Sequence, residues 1–261
     1  MKIIYKIYGD WKKSEVNILA THGINVELGY DSFDIEEGII YQELLPFLNK
    51  LKAQIFYGTL YDEEEIDSSS LLVYNGSWTN GYPQPENDFG YIGITFNKEN
   101  YCKICGTGLI QQSPFLLKKE PKWKTKKLFE LNWIFDEIFV SKELYEQVFK
   151  KFGIQSMPVL LYKKETIIES TVQLIIPVTN DTLNIEKQPF ETCNECGIIK
   201  YSPQIKGFFP SFKKSETITR IFKSQEYFGS GASAHKKIFI NQALRQEMLK
   251  HKIKAQFMPL G

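Results

Sequence analysis

Every cysteine in this 261-residue chain lies in one of two short motifs, Cys102-Lys103-Ile104-Cys105-Gly106 and Cys193-Asn194-Glu195-Cys196-Gly197. Both have the form C-x-x-C-G, and that pairing limits the possible folds more than any other feature. A two-residue spacer lets both sulfurs of one motif reach the same ion. The following Gly can take the left-handed conformation that turns backbone N–H groups toward the sulfurs. Two such motifs supply the four thiolates of a closed tetrahedral site, so one structural zinc held by Cys102, Cys105, Cys193 and Cys196 is expected. The 87 residues between Cys105 and Cys193 far exceed the usual finger spacing, so the site must tie together distant segments of one fold. The same sulfurs have other uses. A redox C-x-x-C needs only one motif, near a strand–helix junction, and disulfides need an oxidising compartment. The chain begins MKIIYKIYGDW, without the apolar segment or small-residue cleavage site of a secretory signal. A cytoplasmic, reducing setting is therefore expected, in which thiols stay available to metal.

With 43% apolar residues the chain can bury a large core as one domain or two coupled ones. Lys plus Arg (32) nearly balances Asp plus Glu (31), without the basic excess of a general nucleic-acid binder. No apolar run is long enough to span a bilayer. The 19 Phe and 14 Tyr favour strands over a helical bundle, which points to an α+β fold of mixed strands with few helices.

Comparison of the chain with itself reveals a duplication. Ile138-Phe139-Val140-Ser141-Lys142-Glu143-Leu144 aligns with Ile238-Phe239-Ile240-Asn241-Gln242-Ala243-Leu244 at an offset of 100, and Met157-Pro158-Val159 answers to Met258-Pro259-Leu260 after a one-residue slip. Each copy reads as a buried strand, an N-cap (Ser141 or Asn241), a helix and a returning strand. Leu144, Val148 and Phe152, and Leu244 and Met248, have the spacing of an apolar helical stripe, while Gly153 suits a C-cap. The order knuckle, connector, strand, helix, strand thus occurs twice, and the zinc is expected to join two related halves.

Residues 1–100 lack the repeat and read as an N-terminal α+β region, with 101–261 as the duplicated region packed against it. Lys2–Tyr8, Val16–Ala20 and Gln54–Tyr61 are expected strands, and Glu36–Lys52 an expected helix interrupted or restarted at Pro46. The turn-rich segment 75–85 is an expected exposed loop whose Trp78 and Tyr82 could anchor a partner. The acidic run Asp62-Glu63-Glu64-Glu65 reads either as a solvated loop or as an anionic patch for a basic partner.

No catalytic constellation emerges. There are three histidines, His22, His235 and His251, and the last suits a helix terminus. Gly229-Ser230-Gly231-Ala232-Ser233-Ala234-His235 is no nucleophile elbow, and neither a dinucleotide fingerprint nor a phosphate loop is present. Catalytic zinc keeps an open position that four cysteines would close, and neither C-x-x-C follows the Pro of a deaminase motif. Glu195, inside the second motif, reads as an exposed carboxylate.

The paired C-x-x-C-G motifs, the stretch Phe222-Lys223-Ser224-Gln225-Glu226-Tyr227-Phe228-Gly229-Ser230-Gly231 leading to Ile238-Phe239-Ile240-Asn241, and the closing Phe257-Met258-Pro259-Leu260 together resemble the double-CXXCG family of bacterial proteins. The resemblance covers roughly residues 100–261. Members of that family include immunity proteins of polymorphic toxin systems, which bind and neutralise a cognate toxin. It implies a zinc-stabilised, non-enzymatic cytoplasmic binding protein with a toxin as partner and Cys102, Cys105, Cys193 and Cys196 as ligands. The alternative is a zinc-ribbon module that contacts nucleic acid, for which Lys118, Lys119, Lys122, Lys124, Lys126 and Lys127 around Trp123 supply cations beside an aromatic ring.

Overall fold

A computed structural model describes residues 1–214 and 220–261. The chain divides into two compact units, residues 1–65 with 204–208, and residues 66–203 with 209–261.

The smaller unit is built from β1 (Lys2–Trp11), α1 (Lys13–Thr21), β2 (Gly29–Glu36), α2 (Ile39–Lys50) and β3 (Gln54–Leu60), with β1 central in an antiparallel β2-β1-β3 sheet. Alternation along β1 sends Ile3, Tyr5 and Ile7 into a core with Leu19, Phe33, Tyr41, Leu44 and Leu48, and the Tyr5 and Tyr41 rings stack at 3.7 Å. The expected strand Val16–Ala20 is instead part of helix α1. A five-residue segment with four apolar residues does not distinguish the two by periodicity. Here the Glu15 carboxylate accepts the Lys12 N–H (2.8 Å) to start the helix, and Leu19 is the residue it buries. Helix α2 runs through Pro46 without a restart, so the lost backbone donor is outweighed by burial of Tyr41, Leu44 and Leu48. Segment 204–208 is tied to this sheet by hydrogen bonds from Thr59 Oγ1 to the Ile205 carbonyl (3.0 Å) and from the Gly207 N–H to Thr59 Oγ1 (2.9 Å).

A short helix α3 (Glu63–Ser68) precedes β4 (Leu71–Asn75), followed by α4 (Tyr91–Thr95), β5 (Phe96–Asn97), β6 (Ile110–Gln111), β7 (Leu116–Leu117), β8 (Leu128–Leu131) and β9 (Ile134–Ser141). The helix after β9, α5, covers 142–152 and passes through a π-helical turn at Tyr145–Phe149. Then come β10 (Ser156–Leu161), β11 (Thr166–Leu174), β12 (Phe190–Thr192), β13 (Ile199–Tyr201), β14 (Ile221–Lys223), β15 (Tyr227–Phe228), β16 (Ile238–Asn241), α6 (Gln242–Lys250) and β17 (Gln256–Pro259). The architecture is α+β, strand-rich with few helices.

The duplication is visible in the sheets. In the order β7-β10-β11-β9-β8, strand β11 separates β9 from β10 and is antiparallel to both; in β14-β16-β4-β17, strand β4 separates β16 from β17 in the same way. Each copy is therefore a strand-helix-strand unit split by a third strand. Ser141 accepts the Leu144 N–H (3.2 Å) and Asn241 accepts the Leu244 N–H (2.9 Å), so both N-caps are real, and Gly153 closes α5 at φ 73°. Ile138, Val140, Ile238 and Ile240 share one core with Leu144, Val148, Leu244 and Met248. The intervening Phe139 and Phe239 face the opposite way into separate cores, stacked on Phe129 (5.2 Å) and Phe222 (5.4 Å) directly across the strand pair. Because β4 is the middle strand of the second copy, the larger unit begins at Ile66 and takes in residues that the sequence places in a region ending at 100. No helix among the described residues is long and apolar enough to cross a membrane.

Candidate metal centre

Each cysteine motif is the tip of a β-hairpin. Strands β5 and β6 pair on either side of the first, with Phe96 opposite Gln111, and β12 and β13 on either side of the second, with Thr192 opposite Ile199. The tips fold alike. The Cys102 N–H donates to the Thr107 carbonyl (3.0 Å) and the Gly106 N–H to the Cys102 carbonyl (2.8 Å). In the second, the Cys193 N–H donates to the Ile198 carbonyl and the Gly197 N–H to the Cys193 carbonyl, both at 2.9 Å. Gly106 and Gly197 hold φ of 80° and 72°, the left-handed turn expected of the motif.

The hairpins bring their four sulfurs within 4.8 Å of one another. Cys102 Sγ lies 3.8 Å from Cys193 Sγ, and Cys105 Sγ 3.5 Å from Cys196 Sγ. A metal–sulfur bond of about 2.3 Å sets the edge of a tetrahedron at about 3.8 Å, so these separations suit one four-coordinate ion. Cys102 and Cys105 are buried, Cys193 half-buried and Cys196 exposed, and all four thiols are free. The group could hold a metal ion through an all-sulfur donor set drawn from segments 91 residues apart.

Burial opposes a thiolate at Cys105, but the Thr107 hydroxyl (3.0 Å from the sulfur), the Thr107 backbone N–H and the Cys196 and Cys102 thiols outweigh it and bring the group down to about 6. At Cys102 the backbone N–H groups of Cys105 and Ile104 favour the thiolate. Desolvation and hydrogen bonds with the Cys105 and Cys193 thiols override them, and the group rises to about 11. Of the two buried sulfurs, Cys105 thus ionises before Cys102.

The two hairpins differ in their surroundings. A Cβ on Gly106 would lie 2.1 Å from the Ala232 carbonyl oxygen, whereas one on Gly197 would meet nothing within 4 Å. The first hairpin is clamped by the loop around Ala232. Lys200 of β13, buried, holds that loop by donating from Nζ to the Gly231 and Ser233 carbonyls. The structure adds Thr107 and Lys200 to the site. The position of Thr107, immediately after C-x-x-C-G, was a signal available in the sequence, whereas the Lys200 contact depends on tertiary packing.

The remaining candidate residues are dispersed. Asp62 and Glu65 form a reciprocal cap, with the Glu65 N–H on Asp62 Oδ1 (2.8 Å) and the Asp62 N–H on Glu65 Oε2 (3.0 Å), beside exposed Glu63 and Glu64. Trp78 folds back onto the larger unit, edge-on to Phe129 (5.6 Å) and Trp123 (6.3 Å), with the Lys126 ammonium 4.8 Å over its ring. Tyr82 is 40% exposed and packs on Trp133 at 4.5 Å. His235 bridges to Phe228, and burial holds its imidazole down to about 4. Glu195 is exposed, and His251 caps α6.

Searches of protein families, curated proteins and solved structures find no match to this chain.

Proposed function

We propose that this chain is a zinc-stabilised immunity protein that neutralises a cognate toxin by stoichiometric binding. The observation that carries the reading is the four-sulfur cluster built from two C-x-x-C-G hairpins. Four thiolates satisfy a tetrahedral ion and leave no position for substrate or activated water, so the metal pins two distant hairpins together. The paired motif is also what carries the resemblance to the double-CXXCG family. The test is co-expression with the toxin encoded beside its gene, together with size-exclusion chromatography of the mixed proteins. Protection and a one-to-one complex are expected. Full toxicity and no complex would defeat the proposal.

A second reading, a zinc ribbon that contacts nucleic acid, is favoured by the lysine cluster. Lys119, Lys122 and Lys124 lack ion-pair partners among the described residues, and the Trp123 indole N–H is buried without a hydrogen-bond acceptor there. It requires RNA or DNA binding at low salt that weakens steeply as salt rises.

A further inference from the structure

Beside the first cysteine hairpin, the larger unit contains a cavity of about 1290 Å³ that the metal centre does not explain. Pockets for drug-sized ligands span roughly 300–1,000 Å³, so there is room for more than one ring. The rim is aromatic and open to solvent, with Phe89 52%, Phe135 45% and Trp133 39% exposed. Two of these three are held in a conformation that bulky side chains rarely adopt, at φ 53° for Phe89 and 71° for Trp133. Trp133 is the second residue of the two-residue turn between β8 and β9, a place ordinarily given to Gly or Asn. Its ring packs on Phe89 at 4.8 Å and on Tyr82 at 4.5 Å, so the strained turn presents a supported aromatic face.

The lining also holds polar and charged side chains. Lys223, buried, donates to Glu137 Oε1, and Gln173 Nε2 donates to Glu137 Oε2 at 3.0 Å. Gln173 and Gln111 exchange side-chain hydrogen bonds at 2.7 and 2.9 Å. Asp136 Oδ2 lies 4.0 Å from the Lys223 ammonium and accepts the Lys236 N–H at 3.1 Å. A buried ion pair is commonly no more stable than an apolar pair of the same volume, so its presence in this core calls for a use. Around the ion pair Asp136 and Glu137 stand against Lys223 and Lys236, and Asp88, Lys98 and Lys103 also line the cavity. The Lys223 ammonium has three donors, and Asp136 Oδ1 has no protein partner among the described residues, which leaves both a donor and an acceptor for a ligand.

Such a cavity suits a ligand that has apolar flat faces for the aromatic residues and uncharged groups able both to donate and to accept for the polar ones. A pyranose ring meets both demands, with C–H faces for aromatic rings and hydroxyls that pair with carboxylate, ammonium and amide alike. A nucleotide would bring its phosphates among the carboxylates of Asp88, Asp136 and Glu137, which oppose them. We propose that this cavity binds a neutral oligosaccharide, stacked on Trp133 and Phe89 and hydrogen-bonded through hydroxyls to Asp136 and Lys223. The proposal is independent of the toxin reading, since Trp133, Phe89, Asp136 and Lys223 all lie outside the two cysteine motifs.

The test is capture of the zinc-loaded full chain on an array of neutral and anionic oligosaccharides, followed by calorimetry with the best free glycan and, separately, with AMP. Trp133→Asn keeps a residue that tolerates the left-handed turn while removing the ring. Phe89→Asn, at a position with the same left-handed backbone, offers a second variant should the first fail to fold. Saturable binding of a neutral glycan by the wild type, at least tenfold weaker in a folded variant with unchanged zinc content, is expected. No capture of any neutral glycan, capture of anionic glycans only, tighter binding of AMP, or equal binding by folded variants would overturn it.

Discussion

Withdrawing the metal should cost the larger unit more than any single core substitution of moderate size. Each cross-hairpin sulfur pair, Cys102 with Cys193 and Cys105 with Cys196, joins residues 91 positions apart. Closing a loop of that length removes conformational freedom from the unfolded chain worth about 4.5 kcal/mol at 25 °C. Coordination energy adds to that figure and reprotonation of the released thiols subtracts from it, so a loss of about 4 kcal/mol or more is expected on full removal. The assay is guanidinium unfolding of the zinc-loaded protein with and without a strong chelator, read beside Cys105→Ser and with zinc content measured on each sample. Hydrogen exchange gives the location. Amides of β12 and β13 should lose protection first, while those of β1, in the smaller unit, keep theirs. An unchanged midpoint in chelator for protein shown to have lost its zinc would refute the reasoning, as would loss of protection that begins in β1.

Two further outcomes follow from individual residues. Gly106→Ala drives a Cβ to 2.1 Å from the Ala232 carbonyl and should cost roughly 2–4 kcal/mol, whereas Gly197→Ala, at the same motif position with open space and φ 72°, should cost only about 1 kcal/mol by denaturant titration. Desolvation by burial raises the Glu130 carboxyl to about 7. The folded state then holds a proton that the unfolded state releases, so this residue's contribution to stability is present below about 4.5 and is lost as the pH climbs to about 7. Glu130→Gln should therefore gain roughly 2–3 kcal/mol on the wild type between pH 4 and pH 8, and a pH-independent difference in unfolding midpoints would contradict the assignment.

The four-cysteine cluster was legible because cysteine spacing is a local code, and two identical codes need no knowledge of what lies between them. The repeat was legible for a similar reason: Ile138-Phe139-Val140 and Ile238-Phe239-Ile240 must each serve a shared core with their outer residues and a private one with their middle residue, so the pattern stays readable. The middle strands were not. Nothing in Leu71–Asn75 announces that it will lie between residues 238–241 and 256–259, because sheet neighbours distant in sequence are chosen by packing. Val16–Ala20 misled because five apolar-rich residues suit either period, and the decision came from Glu15 and from the core that accepts Leu19. The Glu137–Lys223 pair, contributed by β9 and β14, was invisible as two ordinary surface-type residues 86 positions apart.

The two copies obtain their middle strands from opposite directions along the chain, and this matters during synthesis. The first copy draws on β11, which follows β10 directly, so all its strands have been made once Leu174 is added. The second draws on β4, whose Leu71–Tyr74 are all buried in the finished sheet yet are made long before either neighbour exists. Until residues 238–241 and 256–259 leave the ribosome, those four apolar side chains and an unpaired strand edge remain available to other chains. Nascent or truncated products ending between the two copies are thus the aggregation-prone form of this protein, and a chaperone acting on it has Leu71–Asn75 as the segment to shield.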